Sequence, residues 1–263
     1  MIKLVAVIGA GPAGVAASIM LKRYGIEVML FERRSVGGLL NNAWRVENFP
    51  PLEPASGEDL CRRLKERLGR NSIGIISEEV TDILDRTIVT KRAHYVVDYA
   101  VVATGTMPKR LASLEMDSRV VYEYRDIPDG RGATAIYGAG DMAYDGAIRS
   151  RLAGRRTLLF ARGDKVRAIR PLRETAEKLG VELHLSEPIQ HVESEDSRLM
   201  ITTSTGVYSV EALLICVGRV ASLPRIDSDN FEVVGDARGD IYRQASIAIG
   251  EGIRSAMRIA SQR

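Results

Sequence analysis

Two glycine-rich turns are the segments whose residue types and spacing most directly indicate chemistry. The first follows the apolar run Leu4–Ile8, precedes an alanine-rich segment with helical character, and reads Gly9-Ala-Gly11-Pro-Ala-Gly14. A strand, a tight turn and a helix in this order bind the pyrophosphate of a dinucleotide. Gly9 permits the turn, Gly11 lets the backbone approach the pyrophosphate, and Gly14 lets helix and strand pack closely. The amides of the helix N-terminus would receive the phosphate charge.

An acidic residue stands where such a fold binds a ribose. Gly25 ends the predicted helix, Glu27–Phe31 forms the next predicted strand, and Glu32 follows it, about twenty residues beyond the glycines. We expect the Glu32 carboxylate to accept hydrogen bonds from the hydroxyls of an adenosine ribose. A glycine turn in an α/β core that holds no ligand is the alternative interpretation.

The same pattern returns in the middle of the chain. Residues 133–137 and 157–161 predict two strands, and a helix is predicted between them up to about Ala153. The turn that opens this helix reads Gly138-Ala-Gly140-Asp141-Met-Ala143. Alanine at the third position is tolerated in this motif, so the pattern predicts a second nucleotide-binding fold.

A cation, not a carboxylate, follows the second strand of this repeat. Arg162 comes directly after it, and Lys165 and Arg167 lie close behind. A cation at this place accommodates a 2′-phosphate that a glutamate would repel, which favours NADP over NAD. The alternative is that these cations are ordinary surface residues of a loop.

The composition is that of a globular protein and excludes several other classes. The 263 residues are 45% hydrophobic with a net charge of only +3, so no basic tract indicates a nucleic acid partner. Glycines and Pro12 interrupt the apolar run in residues 1–21, which argues against a signal peptide or membrane span. Cys61 and Cys216, the only cysteines, indicate neither a zinc site nor a disulfide framework and favour a cytoplasmic setting.

Further motifs extend the pattern along the whole chain. Apolar strands are predicted to run into glycines at residues 101–106 and 213–218. The remaining motifs are GGLL at 37–40, VENFP at 46–50, Gly235-Asp236, and Tyr242-Arg243-Gln244-Ala245 before a closing helix. In this order, the series resembles the thioredoxin reductase family of pyridine nucleotide-linked flavoproteins from end to end.

The resemblance implies an α/β fold with two Rossmann-like dinucleotide-binding domains, the NAD(P) domain being inserted into the FAD domain. Residues 1–108 and 221–263 would form the FAD domain, and residues 109–220 the NAD(P) domain. The implied FAD contacts are Gly9, Gly11, Pro12, Ala13, Gly14, Glu32, Gly38, Leu39, Asn48, Ala103, Thr104, Gly105, Gly235, Asp236, Arg243, Gln244 and Ala245. The implied NADP contacts are Gly138, Gly140, Asp141, Ala143, Arg162 and Arg167.

Two departures from the family limit what the resemblance implies. Thioredoxin reductases carry a redox Cys-x-x-Cys before the second glycine turn, whereas the matching stretch here, residues 120–123, reads Val-Val-Tyr-Glu without a cysteine. Gly163 stands where NADPH-dependent members have a second cation, so half of the phosphate clamp is present. His94, His184 and His191 are isolated and predicted to be surface or strand residues, and no metal site is predicted.

The sequence therefore predicts an FAD-dependent oxidoreductase that passes electrons from NAD(P)H through the flavin to an external acceptor. That acceptor would be ferredoxin, flavodoxin, a quinone or a small oxidant. The flavin performs the redox step, so no side chain is predicted to be catalytic. An FAD protein reduced by ferredoxin or another donor instead of NADPH, and a non-catalytic flavin-binding redox sensor or assembly module, remain as alternatives. The resemblance also implies a homodimer.

Overall fold

The structure, a computed structural model, describes residues 2–50 and 52–262. Its α-helices are α1 (Pro12–Arg23), α2 (Gly57–Arg70), α3 (Asp141–Leu152), α4 (Arg170–Lys178) and α5 (Ala245–Ser261). Its strands are β1 (Leu4–Ile8), β2 (Glu27–Phe31), β3 (Ile75–Ile76), β4 (Val80–Leu84), β5 (Thr87–Thr90), β6 (His94–Val96), β7 (Tyr99–Val102), β8 (Thr106–Pro108), β9 (Val120–Val121), β10 (Thr134–Tyr137), β11 (Thr157–Phe160), β12 (Glu182–His184), β13 (Ile189–Glu195), β14 (Arg198–Thr203), β15 (Val207–Val210), β16 (Ala212–Ile215), β17 (Arg219–Ala221), β18 (Arg225–Asp227) and β19 (Phe231–Val233).

The chain forms two compact units, the second of which interrupts the first. Unit 1 comprises residues 1–41, 45–107 and 220–263, and unit 2 comprises residues 42–44 and 108–219. Each unit contains a five-stranded parallel sheet flanked by helices. The α/β class with two Rossmann-like folds, one inserted into the other, is therefore confirmed, whereas the cofactor of each unit stays a prediction.

The parallel sheet of unit 1 has the strand order β19-β7-β1-β2-β3. Its central strands are apolar on both faces because helices and a second sheet cover them, as is typical of parallel sheets. Helices α1 and α5 pack so closely that a Cβ atom on Gly252 would lie 2.2 Å from the carbonyl oxygen of Ala13. A smaller sheet, β18-β4-β5-β6, packs against this parallel sheet, and Tyr95 of the smaller sheet contacts Phe31 of β2 edge-to-face.

Unit 2 repeats this plan with the strand order β12-β11-β10-β16-β9. Strands β10, β11 and β16 are buried along their whole length, and α3 packs against the first two through Ala143, Ala147 and Ile148. Strands β13, β14 and β15 form an antiparallel sheet. No helix among the described residues is long and apolar enough to cross a membrane.

Candidate dinucleotide-binding sites

The first glycine turn links β1 to α1, and its three glycines have different physical roles. Gly9 has φ +102°, and a Cβ atom there would lie 2.5 Å from the carbonyl oxygen of Ala103. A Cβ atom on Gly14 would lie only 1.8 Å from the carbonyl oxygen of Gly9. Packing of the protein itself therefore requires glycine at both positions. Around Gly11, in contrast, a Cβ atom would meet no atom within 4 Å.

The open space at Gly11 lies at the N-terminus of α1. Gly11 is the N-cap residue, Pro12 is the first helical residue, and no side chain caps the amides of the first turn. Uncapped amides at a helix N-terminus attract an anion, both by hydrogen bonding and through the helix dipole. The place where glycine is free of protein packing is thus the place where a phosphate would bind.

The loop with the GGLL motif lies beside this turn. The amide of Gly37 donates a hydrogen bond to the carbonyl of Ala10 at 2.8 Å, and a Cβ atom on Gly38 would lie 3.5 Å from the Cα of Gly11. Leu39 follows, half-buried, in the short 3-10 helix Gly38–Asn42. The structure therefore brings two more of the predicted FAD residues to the glycine turn.

Residues 103–105 continue from the end of β7 on the other side of the turn. The amide of Ala103 donates to the carbonyl of Ile8 at 2.8 Å, and Gly105 turns the chain with φ +68°. The Thr104 hydroxyl donates to the carbonyl of Ser222. Ala103 thus packs directly against Gly9, while the threonine side chain fixes the returning segment after β17.

The Gly235-Asp236 turn after β19 packs against the first turn of α1. Gly235 has φ +64°, and a Cβ atom there would lie 3.0 Å from the Cβ of Ala13 and 3.4 Å from that of Ala248. Its amide donates to Glu251 at 2.6 Å. Asp236 is half-buried, and the first turn of α5, which begins at Ala245, lies on the other side of this turn.

Three further predicted FAD residues surround the start of α5. Gln244 is the N-cap residue and makes no capping hydrogen bond, while its side-chain oxygen accepts a hydrogen bond from Asn48 at 2.7 Å. Arg243, Gln244 and Asn48 are all exposed. This helix N-terminus therefore leaves its first amides available to a partner with negative charge.

Glu32 has a structural role that the sequence did not predict. One carboxylate oxygen accepts a hydrogen bond from the amide of Ala10 and the other from the amide of Arg34, each at 2.8 Å. Glu32 thus holds the glycine turn against the end of β2. Each carboxylate oxygen can accept more than one hydrogen bond, so these contacts are compatible with the predicted ribose contact.

All these segments follow the carboxyl ends of the parallel strands β1, β2, β7 and β19. Ligands of open α/β sheets bind in the crevice outside this edge. The predicted FAD residues, which are spread over the whole sequence, are thereby collected at one edge of unit 1.

The second glycine turn repeats the geometry of the first in unit 2. Gly138 has φ +154°, and a Cβ atom there would lie 2.4 Å from the carbonyl oxygen of Cys216. Gly140 is the N-cap residue of α3, and a Cβ atom on it would meet nothing within 4 Å. Ala143, at the third position, is fully buried. Asp141 accepts a hydrogen bond from the amide of Ile169 at 2.9 Å, so its carboxylate helps to hold the following loop.

Arg162 and Arg167 lie in that loop, which returns to the glycine turn. The amides of Arg167 and Ala168 both donate to the carbonyl of Ala139, at 2.8 and 3.1 Å. Both arginine side chains are exposed, and neither has a carboxylate partner within the described ranges. The loop that carries these two cations is thus bonded to the glycine turn before the uncapped N-terminus of α3.

The sheet edge of unit 2 also holds a buried ion pair. Arg219 approaches Glu123 at 2.9 Å, with the two side chains only 5% and 9% exposed, and Asn42 donates a hydrogen bond to the same carboxylate. Burial raises the pKa of the nearby Cys216 thiol to about 12, and the Glu123 charge acts in the same direction. A thiol with this pKa is protonated and unreactive at neutral pH. The Cys61 side chain is buried and packs under Gly37.

Asp145 on α3 is a half-buried carboxylate that accepts a hydrogen bond from the backbone amide of Trp44 at 2.6 Å, within unit 2. Burial raises its pKa to about 6, and Asp141 on the same helix adds to this effect. The Trp44 amide and Arg149 lower it, but by less than burial raises it. The Asp145 charge also contributes to the raised pKa of the Cys216 thiol. Asp145 therefore changes charge in a pH range where ordinary aspartates are already ionised.

We expect the fluorescence of Trp44, the only tryptophan, to change with a midpoint near pH 6, because protonation removes the charge that its amide contacts. Since the folded pKa is above the ordinary value, protonation stabilises the fold, and this stabilisation is lost as the pH rises through about 6. Asp145→Asn should abolish the transition, and the exposed-residue control Asp164→Asn should keep it. A transition unchanged in Asp145→Asn would contradict the assignment.

One cluster at the same sheet edge was missed by sequence reasoning. His184, predicted only as a surface or strand residue, stacks on Phe160 with ring centres 4.6 Å apart and contacts the Tyr208 ring edge-to-face. Its Nδ1 lies 2.9 Å from the carboxylate of Glu187, which is 7% exposed. The residues come from separate strands and a loop, so no sequence spacing reveals the cluster.

The two sheets, each with an open glycine turn at its carboxyl edge, define a protein with two dinucleotide-binding folds. The chain belongs to the pyridine nucleotide-disulphide oxidoreductase family, which matches residues 3–248. It is 25% identical to a thioredoxin reductase of Ureaplasma parvum over 260 residues, covering 89% of this chain and 81% of that protein. It is 31% identical over 156 residues, 54% of this chain and 50% of the other, to a Clostridium pasteurianum protein described as the 34.2 kDa protein in rubredoxin operon.

Solved structures show the same fold. The crystal structure of Lactococcus lactis thioredoxin reductase (FR conformation) matches with a TM-score of 0.85 and 22% identity, over 100% of both chains. The resemblance to thioredoxin reductases drawn from the sequence motifs is thereby confirmed. The chain is a member of an oxidoreductase family of the flavin- and nicotinamide-dependent type.

Proposed function

We propose that this protein is an FAD-dependent oxidoreductase that takes electrons from NAD(P)H and passes them to an external acceptor without a dithiol of its own. The observation that carries the proposal is the pair of glycine positions, Gly11 and Gly140, where a side chain would meet no protein atom. Each lies at the uncapped N-terminus of a helix. Both places fit the pyrophosphate of a dinucleotide.

The residues of unit 1 would hold FAD. The amides at the start of α1 would bind its pyrophosphate, Glu32 its ribose, and the Gly235-Asp236 turn the connecting chain. The amides at the start of α5, with Gln244, would face the negative charge of a reduced flavin. When bound, FAD supplies the redox chemistry, since it accepts a hydride from NAD(P)H and its two electrons pass on to the acceptor. The side chains named here bind and orient, and none is assigned a catalytic role.

The residues of unit 2 would hold the nicotinamide nucleotide. Gly140 and the first amides of α3 would bind its pyrophosphate. Arg162 and Arg167 would contact a 2′-phosphate, which favours NADPH over NADH. Gly163 stands where NADPH-dependent members of the family have a second cation, so we expect a modest preference for NADPH only.

The cysteines favour an acceptor other than the disulfide of thioredoxin. The chain has two cysteines, 61 and 216, and neither belongs to a Cys-x-x-Cys. Electrons would therefore leave the flavin directly for ferredoxin, flavodoxin, a quinone or a small oxidant. The similarity to a protein of a rubredoxin operon favours a small electron-carrier protein among these. We also propose a cytoplasmic homodimer, following the family resemblance.

An anaerobic titration of the purified protein with NADPH and then NADH tests the proposal. We expect a yellow protein whose flavin band, near roughly 450 nm, bleaches with stoichiometric NADPH. A second candidate function is a flavoprotein that takes its electrons from another donor, and Gly163 in place of a cation supports it. Bleaching by reduced ferredoxin, but by neither NADPH nor NADH, would favour this second candidate. A colourless protein would contradict both candidates.

A further inference from the structure

Glu187 is a buried carboxylate in unit 2 to which the proposed reaction assigns no role. Its Oε1 accepts hydrogen bonds from the hydroxyls of Thr203 at 2.6 Å, Tyr208 at 2.8 Å, and Thr205. Its Oε2 lies 2.9 Å from Nδ1 of His184. Burial by itself would raise the pKa of Glu187, but these hydrogen bonds hold it at about 2. Glu187 is therefore an ionised anchor with a fixed position.

The backbone next to Glu187 is bonded to the loop that begins after β11. The amide of Glu187 donates to the carbonyl of Ala161 at 2.9 Å, and the amide of Ser186 donates to the carbonyl of Gly163 at 3.2 Å. The amide of Ala161 donates in return to the carbonyl of His184 at 2.9 Å. Ser186 has φ +56°, a conformation that a serine adopts only where its surroundings enforce it.

Arg162 lies between the two residues, Ala161 and Gly163, whose backbone is bonded to this turn. Its side chain is exposed and, in the part of the chain that the structure describes, no carboxylate pairs with it. The backbone sets the direction of the Cα–Cβ bond at which such a side chain starts, and the backbone here is fixed on both sides by the turn at residues 184–187. The anchor of that turn is the Glu187 side chain.

We propose that Glu187 is a positioning residue that sets the selectivity for a 2′-phosphorylated nucleotide by holding the loop of Arg162. The cluster of Glu187 with its three hydroxyl donors and His184 fixes the turn, and the turn fixes residues 161–163. This inference rests on the proposed function, because it requires that unit 2 binds a nucleotide whose 2′-phosphate Arg162 contacts.

The test compares two nucleotide fragments that need no flavin reduction. Dissociation constants of 2′-phospho-ADP-ribose and ADP-ribose are measured by calorimetry on the FAD-loaded protein. In Glu187→Ala we expect the preference for the phosphorylated fragment to fall by about 3- to 10-fold, the order of one ordinary hydrogen bond, with ADP-ribose binding unchanged. Glu187→Gln should restore the preference, because its amide oxygen accepts the same three hydroxyls and its amide nitrogen can donate to His184 Nδ1.

A double-mutant cycle with Arg162→Ala identifies the route of the effect. If Glu187 acts through Arg162, the double variant should show no further loss of preference beyond that of Arg162→Ala. Additive losses would overturn the proposal. So would a lower melting temperature with an unchanged preference in Glu187→Ala, since this would show a structural role only.

Two further results complete the test. Should Glu187→Ala fail to fold, Tyr208→Phe removes a single donor from the same oxygen, and we expect the preference to fall there as well; an unchanged preference in that variant would overturn the proposal. A wild-type protein that binds both fragments equally would contradict the NADPH assignment in the proposed function, and the inference would fail with it.

Discussion

Replacement of Gly11 by valine is expected to give a folded protein that contains no FAD. Gly11 has φ −73° and ψ −177°, an extended conformation that valine adopts without strain. A Cβ atom there meets no protein atom within 4 Å, so we expect the fold to tolerate the branched side chain. The same space is where the pyrophosphate would contact the amides of α1. We expect FAD affinity to fall on the order of 1000-fold through steric exclusion and lost charge-assisted hydrogen bonds.

Two glycine variants control this experiment. Gly69→Val lies on α2, where a Cβ atom also meets nothing within 4 Å, and it should leave the protein yellow. Gly14→Ala should reduce the yield of folded protein, since its Cβ atom would lie 1.8 Å from the carbonyl oxygen of Gly9. Absorbance of the purified proteins and thermal unfolding monitored by circular dichroism separate the three outcomes. A Gly11→Val protein with a full flavin spectrum would show that FAD does not bind at this turn.

The difference between Gly11 and Gly14 shows where sequence reasoning succeeded. The motif predicts the strand Leu4–Ile8, the turn and the helix because all three depend on local periodicity and backbone sterics. The roles given to the glycines followed from the same local physics. The structure shows the same distinction as distances, since a Cβ atom on Gly9 or Gly14 would clash with protein atoms whereas one on Gly11 would face open space.

The features that the sequence did not predict depend on contacts between distant residues. Trp44 and Asp145 are 101 positions apart, and their hydrogen bond has no signature in either segment. The strands β4, β5 and β6 were not predicted because they are only 5, 4 and 3 residues long, too short for a period of two to stand out.

Replacement of Gly140 by valine is expected to give a yellow protein that NADPH no longer reduces. Gly140 has φ −104° and ψ −179°, and a Cβ atom on it meets no protein atom within 4 Å, so the variant should fold. The valine would occupy the space next to the first amides of α3, where the pyrophosphate of the nicotinamide nucleotide would bind. We expect at least about a 100-fold loss of NADPH affinity, and anaerobic bleaching at stoichiometric NADPH should disappear.

The Gly140 and Gly11 variants control each other. Gly140→Val should keep its FAD and still bleach with dithionite, which shows that its flavin is intact. Gly11→Val should lack FAD but still bind 2′-phospho-ADP-ribose in calorimetry, because its second turn is unchanged. Stoichiometric bleaching of Gly140→Val by NADPH would show that the donor binds elsewhere. Loss of both FAD and the nucleotide in each of the two variants would indicate misfolding, and it would contradict the proposal that the two turns are independent sites. Separate losses would assign one dinucleotide to each glycine turn.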